Sequence, residues 1–176
     1  MIIRRATLFE VPAIMLLVRQ IVPLMRATCN LQWDDAYPNA NVFAADVALR
    51  QLWVADFDGI LAGFAVITTD QPPEYAQAGF NIHEKAIVVH RLAVDPEFRG
   101  FGVATALMEE AEALAFEAGI DVLRVDTSVQ NEATQRLFPR LGYTLAGEVS
   151  LDFRPGLRVL CYEKRLRATS QPSPEH

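Results

Sequence analysis

Apolar residues recur along the first 60 positions with two different spacings. "MIIRRAT" predicts a first strand, whereas "LFEVPAIMLLVRQIVPLMRA" repeats its apolar positions every three to four residues, as an amphipathic helix does. A disturbance is expected at Pro23, because proline has no amide hydrogen for the helical ladder. The polar and aromatic stretch "TCNLQWDDAYPNA" leads to a short second helix over "VFAADVALRQ". "LWVADFDGILAGFAVIT" then predicts two apolar strands joined at Asp58-Gly59, a pair suited to a tight hairpin turn. The next segment, "TDQPPEYAQAGFNIHEK", is rich in proline, glycine and acids, and its length predicts a functional or mobile loop.

"AIVVHRLAVD" is almost continuously apolar, as a strand buried on both faces would be. Residues 102 to 118 predict a helix with Leu107, Ala111, Leu114 and Ala118 on its buried side and Glu109, Glu110 and Glu117 in water. Beyond Gly119, "DVLRVDTS" reads as another strand and "NEATQRLFPRLGY" as a short helix ended by Gly142, with Pro139 fraying its last turn. "TLAGEVSLDF" and "LRVLCYEKRL" predict a hairpin across "RPG", and "RATSQPSPEH" a disordered tail. No repeat or linker divides this order. It predicts a single α+β domain over residues 1–166, built round a mixed central sheet, with a tail over 167–176.

Composition narrows the function. A chain of 176 residues, 51% apolar and 22% charged, is long enough for one substantial core. A net charge of −6 argues against the basic face of a nucleic-acid binder. Cys29 and Cys161 form no CxxC pair, and His83, His90 and His176 lack metal-site spacing, so neither a disulfide framework nor a metal is expected. The N-terminus reads as lacking an apolar signal core and no apolar run is expected to reach membrane-spanning length, which makes a cytoplasmic protein without a membrane partner the expectation.

"HRLAVDPEFRGFGVATALM", residues 90 to 108, carries the chemistry. A helix begins there without the usual Ser, Thr, Asp or Asn cap, and no acid occurs between Gly100 and Met108. Gly100 and Gly102 allow a tight turn whose amides are left uncovered, at an end that already carries partial positive charge. Arg99 adds a fixed cation, and together these features favour a phosphate or pyrophosphate site over a plain strand-to-helix connection. A dinucleotide-binding turn fits less well. "PEF" separates the strand from the glycines, the third glycine is missing from "GFGVAT", and Asp126 is poorly placed as a ribose-binding acid.

"LAVDPEFRGFGVATALM" resembles the acyl-CoA-binding motif of the GNAT superfamily of N-acetyltransferases, with Arg99, Gly102 and Ala104 at the positions of its pattern. The element order over residues 2 to 166, including "NEATQRLFPRLGY", is similar as well. The resemblance implies a sheet of about seven strands with roughly four helices, and acetyl-CoA as acyl donor without a metal. It also implies that the amides of Gly100, Phe101, Gly102, Val103, Ala104 and Thr105 hold the pyrophosphate beside Arg99. The main chain of Leu92, Ala93 and Val94 would pair with the pantetheine arm, and Asn131 would contact the arm or simply cap its helix.

By the same resemblance an amine attacks the thioester directly, and His90 stands where several members carry a base; the alternative is a histidine satisfied within the sheet beside Arg91. The family's usual general acid is a tyrosine at the position of Phe138, which here could contact the cofactor but has no proton to give. Either the thiolate leaves unaided or another group substitutes, with Tyr162 on the final strand as candidate; Tyr143 reads as packing. Trp33, Asp34 and Tyr37 would form an aromatic, negative wall for a small-molecule or peptide amine. Asp34 and its neighbour Asp35 also read as solvated loop acids. A homodimer is compatible with the resemblance. Phe138 also suits a different reading, an acyl-CoA-binding sensor or partner protein with little turnover.

Overall fold

The computed structural model describes residues 1–151 and 154–166. Its strands are β1 (Ile2–Arg5), β2 (Leu52–Phe57), β3 (Ile60–Thr68), β4 (Ile87–Val94), β5 (Val122–Ser128), β6 (Thr144–Ser150) and β7 (Arg158–Arg165). Four helices accompany them, α1 (Val11–Ala27), α2 (Ala40–Ala48), α3 (Val103–Ala118) and α4 (Glu132–Arg140). All seven strands form one sheet in the order β1-β2-β3-β4-β5-β7-β6. The strands β4 and β5 run parallel, and the other neighbours are antiparallel. A parallel pair needs a long crossover, and α3 supplies it.

The helix α3 packs on one face of the sheet through Val103, Leu107, Met108, Ala111 and Ala115, with Phe138 of α4 beside it. The buried stripe runs 103, 107, 111, 115. It therefore ends a turn before Ala118, which is exposed, and Leu114 is only half-buried. On the opposite face α1 and α2 cover Val54, Phe64 and Val66 with Ile14, Leu17, Val18 and Phe43. Pro23 does not break α1; it lies on the exposed side, where an unpaired carbonyl can turn to water. Contrary to expectation, the helical span Leu8–Ala27 is long and apolar enough to cross a membrane by length and composition. Its stripe of Ile14, Leu17, Val18, Ile21 and Val22 is nevertheless buried against the sheet, as in a core helix.

Residues 69–85 are ordered rather than loose. They include a short 3-10 turn, Pro73–Ala78, and a fully buried Tyr75 that packs with Phe80, Val88, Val159 and Cys161. Arg124 of β5, 1% exposed, anchors the segment. It donates to the Gln71 side chain and the Asn81 carbonyl, pairs with Glu84 and Glu163, and stacks over Phe80. The hairpin turn falls at Asp58-Gly59 as the sequence predicts, both residues having positive φ. Asp152 and Phe153 of the predicted β6 segment, and the predicted tail over 167–176, lie outside the described residues.

Candidate active site

The strands β4 and β5 part company halfway along. They pair from Ile87–Leu123 to Val89–Val125 and no further, although β4 continues to Val94 against β3 and β5 to Ser128 against β7. A β-bulge accompanies the divergence. Between the pairs Val66–His90 and Phe64–Ala93, β4 spends three steps where β3 spends two. Arg91 absorbs the extra residue at φ 50°, and a bulge bends its strand. The result is a cleft of about 250 Å³ between residues 89–92 and 125–127, closed on its flanks by α4 and the loop before α2.

Beyond the open edge of β4 the chain enters the glycine turn. Gly100 and Gly102 adopt φ 84° and φ 78°, which side-chain-bearing residues rarely occupy, and a Cβ at either would meet nothing within 4 Å. Gly102 is the N-cap of α3; it brings no side-chain bond, and the first turn contains no acid. Among the described residues no group accepts from the amides of Gly100, Gly102, Val103, Ala104 or Thr105. Arg99 is exposed beside them. This uncovered, positively polarised turn suits a diphosphate. Phe101 points elsewhere, edge-on to Phe57 and Phe98 and largely exposed.

His90 and Leu92 both line the cleft, as do Asn131 and Phe138. Burial pushes the His90 pKa below its ordinary value and the Arg91 charge adds to this, against the opposing pull of Asp126 and Asp46 and a backbone hydrogen bond at Asp70. The imidazole is therefore neutral at pH 7. Asn131 caps α4 by accepting from the Thr134 amide at 3.3 Å, while remaining part of the cleft wall. Phe138 is fully buried between Tyr143 and Tyr162. Tyr162 itself packs behind that ring at 5.3 Å, in the core with α3, and does not line the cleft. Thus the structure does not bring Tyr162 to His90. Cys161 faces the other side of the sheet, where burial and then Asp126 push its thiol up to about 12.

The expected acceptor wall is present but not negative. Trp33 is buried, stacked parallel to Phe64 at 6.1 Å, and Tyr37 lines the cleft. Asp34 turns back to accept from the amides of Ala36 and Tyr37, both at 2.8 Å, and forms an ion pair with Arg154. Those partners hold its carboxyl below the ordinary range. Asp35 pairs with Arg26 at the surface. Two guanidinium groups reach the cleft: Arg154 over the Tyr37 ring, and Arg91, which bonds the Tyr37 hydroxyl at 3.0 Å and both Asp46 oxygens at 2.7 Å. Arg91, Arg154, Asp46 and Gln32 were not singled out as site residues by sequence, because the contacts that bring them together span long separations. Among the described residues no group of three or more His, Cys, Asp or Glu side chains could hold a metal ion.

Residues 19–143 match the Acetyltransferase (GNAT) family, and the chain belongs to it. A solved GNAT-family acetyltransferase from Streptococcus agalactiae superposes with a TM-score of 0.79 at 29% identity, covering 95% of this chain and 96% of that one. A Salmonella typhimurium structure described with its cofactor acetyl-CoA shares the fold, with a TM-score of 0.69 at 21% identity and 99% of each chain covered. The L-2,4-diaminobutyric acid acetyltransferase of Streptomyces coelicolor is 31% identical over 118 residues, 63% of this chain and 62% of that protein. Across the sequence relatives the matched part covers 28% to 91% of the relative's own length. The matched family is one of acetyltransferases.

Proposed function

We propose that residues 1–166 act as one N-acetyltransferase domain that moves the acetyl group of acetyl-CoA to a primary amine, on a small molecule or peptide, within a ternary complex. The observation that carries this reading is the run of three features along one stretch of chain: the cleft beside β4, the edge of β4 left unpaired by β5 at Leu92–Val94, and the uncovered glycine turn that follows. The turn offers amides for the diphosphate, and the unpaired edge of β4 at Leu92–Val94 offers main-chain groups for the extended arm. A β4 amide near the thioester would stabilise the oxyanion as the amine nitrogen bonds to the carbonyl carbon. The carbon–sulfur bond then breaks and the sulfur leaves as a thiolate. The amine's proton goes to His90, directly or through water, because the ring lines the cleft and is neutral. Phe138 cannot protonate the thiolate, but thiols titrate near about 8.5, so unassisted departure is tolerable. The names of two relatives, a diaminobutyric acid acetyltransferase and a 5-NmdU N-acetyltransferase, support an amine acceptor. A cytoplasmic location goes with this reading.

Release of free CoA thiol on a panel of primary amines, with calorimetric binding of acetyl-CoA alongside, tests the proposal. Amine-dependent thiol release is expected. Tight binding with no release on any amine would overturn catalysis and leave an acyl-CoA sensor, the reading that Phe138 favours.

A further inference from the structure

Asp126 is a carboxylate at the cleft that the reaction as described leaves unused. It stands on the divergent half of β5 and lines the cleft with His90. Its Oδ2 accepts from the Tyr75 hydroxyl at 2.6 Å, and its Oδ1 lies 3.5 Å from the Gln32 side-chain amide nitrogen. Both donors are neutral. Tyr75 is fully buried, and burial together with the Asp126 charge keeps its hydroxyl protonated well beyond the ordinary range. The two donors therefore fix the carboxylate without neutralising it.

The other charges at the cleft are matched. Arg91 is paired with Asp46 and Arg154 with Asp34, whereas none of the ion pairs among the described residues involves Asp126. One unmatched negative charge thus faces the space where an acceptor must approach His90. An alkyl amine resembles lysine, with a reference pKa of about 10.4, and arrives as a cation at neutral pH.

We infer that Asp126 is the acceptor-binding carboxylate: it receives the ammonium form of an aliphatic amine and makes the enzyme selective for acceptors that are cationic at neutral pH. The inference rests on the amine-acetylation reading above. An N–H bond of the bound ammonium breaks, the proton passes to a ring nitrogen of neutral His90 and on to water, and the free amine attacks. The second proton, shed from the nitrogen as the carbon–sulfur bond breaks, goes to the neutral ring or through water to the leaving thiolate. Asp126 balances the positive charge before and after that transfer, first on the ammonium and then on the imidazolium. The charged and titratable groups facing this pair are Arg91 on β4, Asp46 on α2, Tyr37 in the loop before α2, Tyr75 in the 69–85 segment, Arg154 between β6 and β7, and Cys161 on β7.

The test is a nuclear magnetic resonance titration of the His90 ring in wild type and Asp126→Asn, with ethylammonium chloride and ethanol as probes at constant ionic strength. In wild type, ethylammonium should shift the His90 resonances saturably and ethanol should not. In D126N the ammonium response should weaken at least tenfold, and the ring should titrate at lower pH because an anion that favours its charged form is gone. Acetyl-CoA affinity should be unchanged. Equal responses to the two probes in wild type would overturn the inference, and that comparison stands even if D126N fails to fold. An unchanged ammonium response in a folded D126N would overturn it too. None of these readouts needs turnover, so the inference can fail while acetylation holds. With an acceptor in hand, D126N should raise KM for aliphatic amines at least tenfold and spare an aromatic amine that is neutral at the assay pH; D126E should recover part of the loss.

Discussion

A histidine serves as a base only while it is neutral, and the surroundings of His90 keep it so. Burial is the largest influence and lowers its pKa; Asp126 opposes that without reversing it. Activity that depends on the neutral ring is present above the His90 pKa and lost as pH falls through it. The acid limb of kcat/KM should therefore lie below the ordinary histidine value of about 6.5. His90→Gln should remove that limb and lower the rate about 100-fold or more; full activity with the limb intact would take His90 out of the mechanism. His90 can be singled out in the sequence because it lies two residues before Leu92 on the strand that leads into the motif, and the structure puts it in the cleft. Asp126 was visible only as an ill-placed ribose acid. Its partners Tyr75 and Gln32 are 51 and 94 residues away, and no local pattern links them. For Asp34 the sequence leaves open an acceptor wall or a loop acid, and in the structure its carboxylate accepts from the loop's own amides.

Gly63 matters to the elements that make the cleft, although the sequence marks it only as a glycine within a strand. A Cβ there would sit 2.6 Å from the Ala93 carbonyl oxygen and 2.8 Å from Val103, pushing apart β3, the open half of β4 and the start of α3. Gly63→Ala should cost about 1–3 kcal/mol of stability, the usual penalty for overpacking. It should also weaken acetyl-CoA binding, because the displaced atoms border the glycine turn. Thermal unfolding and calorimetry check both, and an unchanged melting temperature with unchanged affinity would show that the close approach is not needed. The hairpin at Asp58-Gly59 and the order of strands and helices were readable from apolar spacing and turn residues. The bulge at Arg91 and the parting of β4 from β5 were not. One extra residue in a strand leaves its apolar pattern almost unaltered, yet it reorients the main chain that follows.

At the scale of the molecule, three buried clusters share the work. The first binds α3 and α4 to one face, the second binds α1 and α2 to the other, and the third packs residues 69–85 against β4, β6 and β7. The third cluster explains why a segment rich in proline and acids is ordered. Its polar residues are spent on Arg124, and its aromatic residues are buried. Composition alone could not show this, since the anchoring residue lies more than 40 positions away. These clusters hold β4, β5 and α3, and the turn at Gly100–Gly102 joins the open half of β4 to α3. Everything proposed for the chemistry depends on a diphosphate docking at that turn. The most direct measurement is calorimetric titration of acetyl-CoA into wild type, Gly102→Ala and Gly102→Glu, each first shown to be folded by its melting curve. Wild type should bind, and Gly102→Ala should bind more weakly because of backbone strain. Gly102→Glu should lose affinity about 100-fold or more, since placing like charges together costs several kcal/mol. A folded Gly102→Glu that binds acetyl-CoA as tightly as wild type would contradict the account.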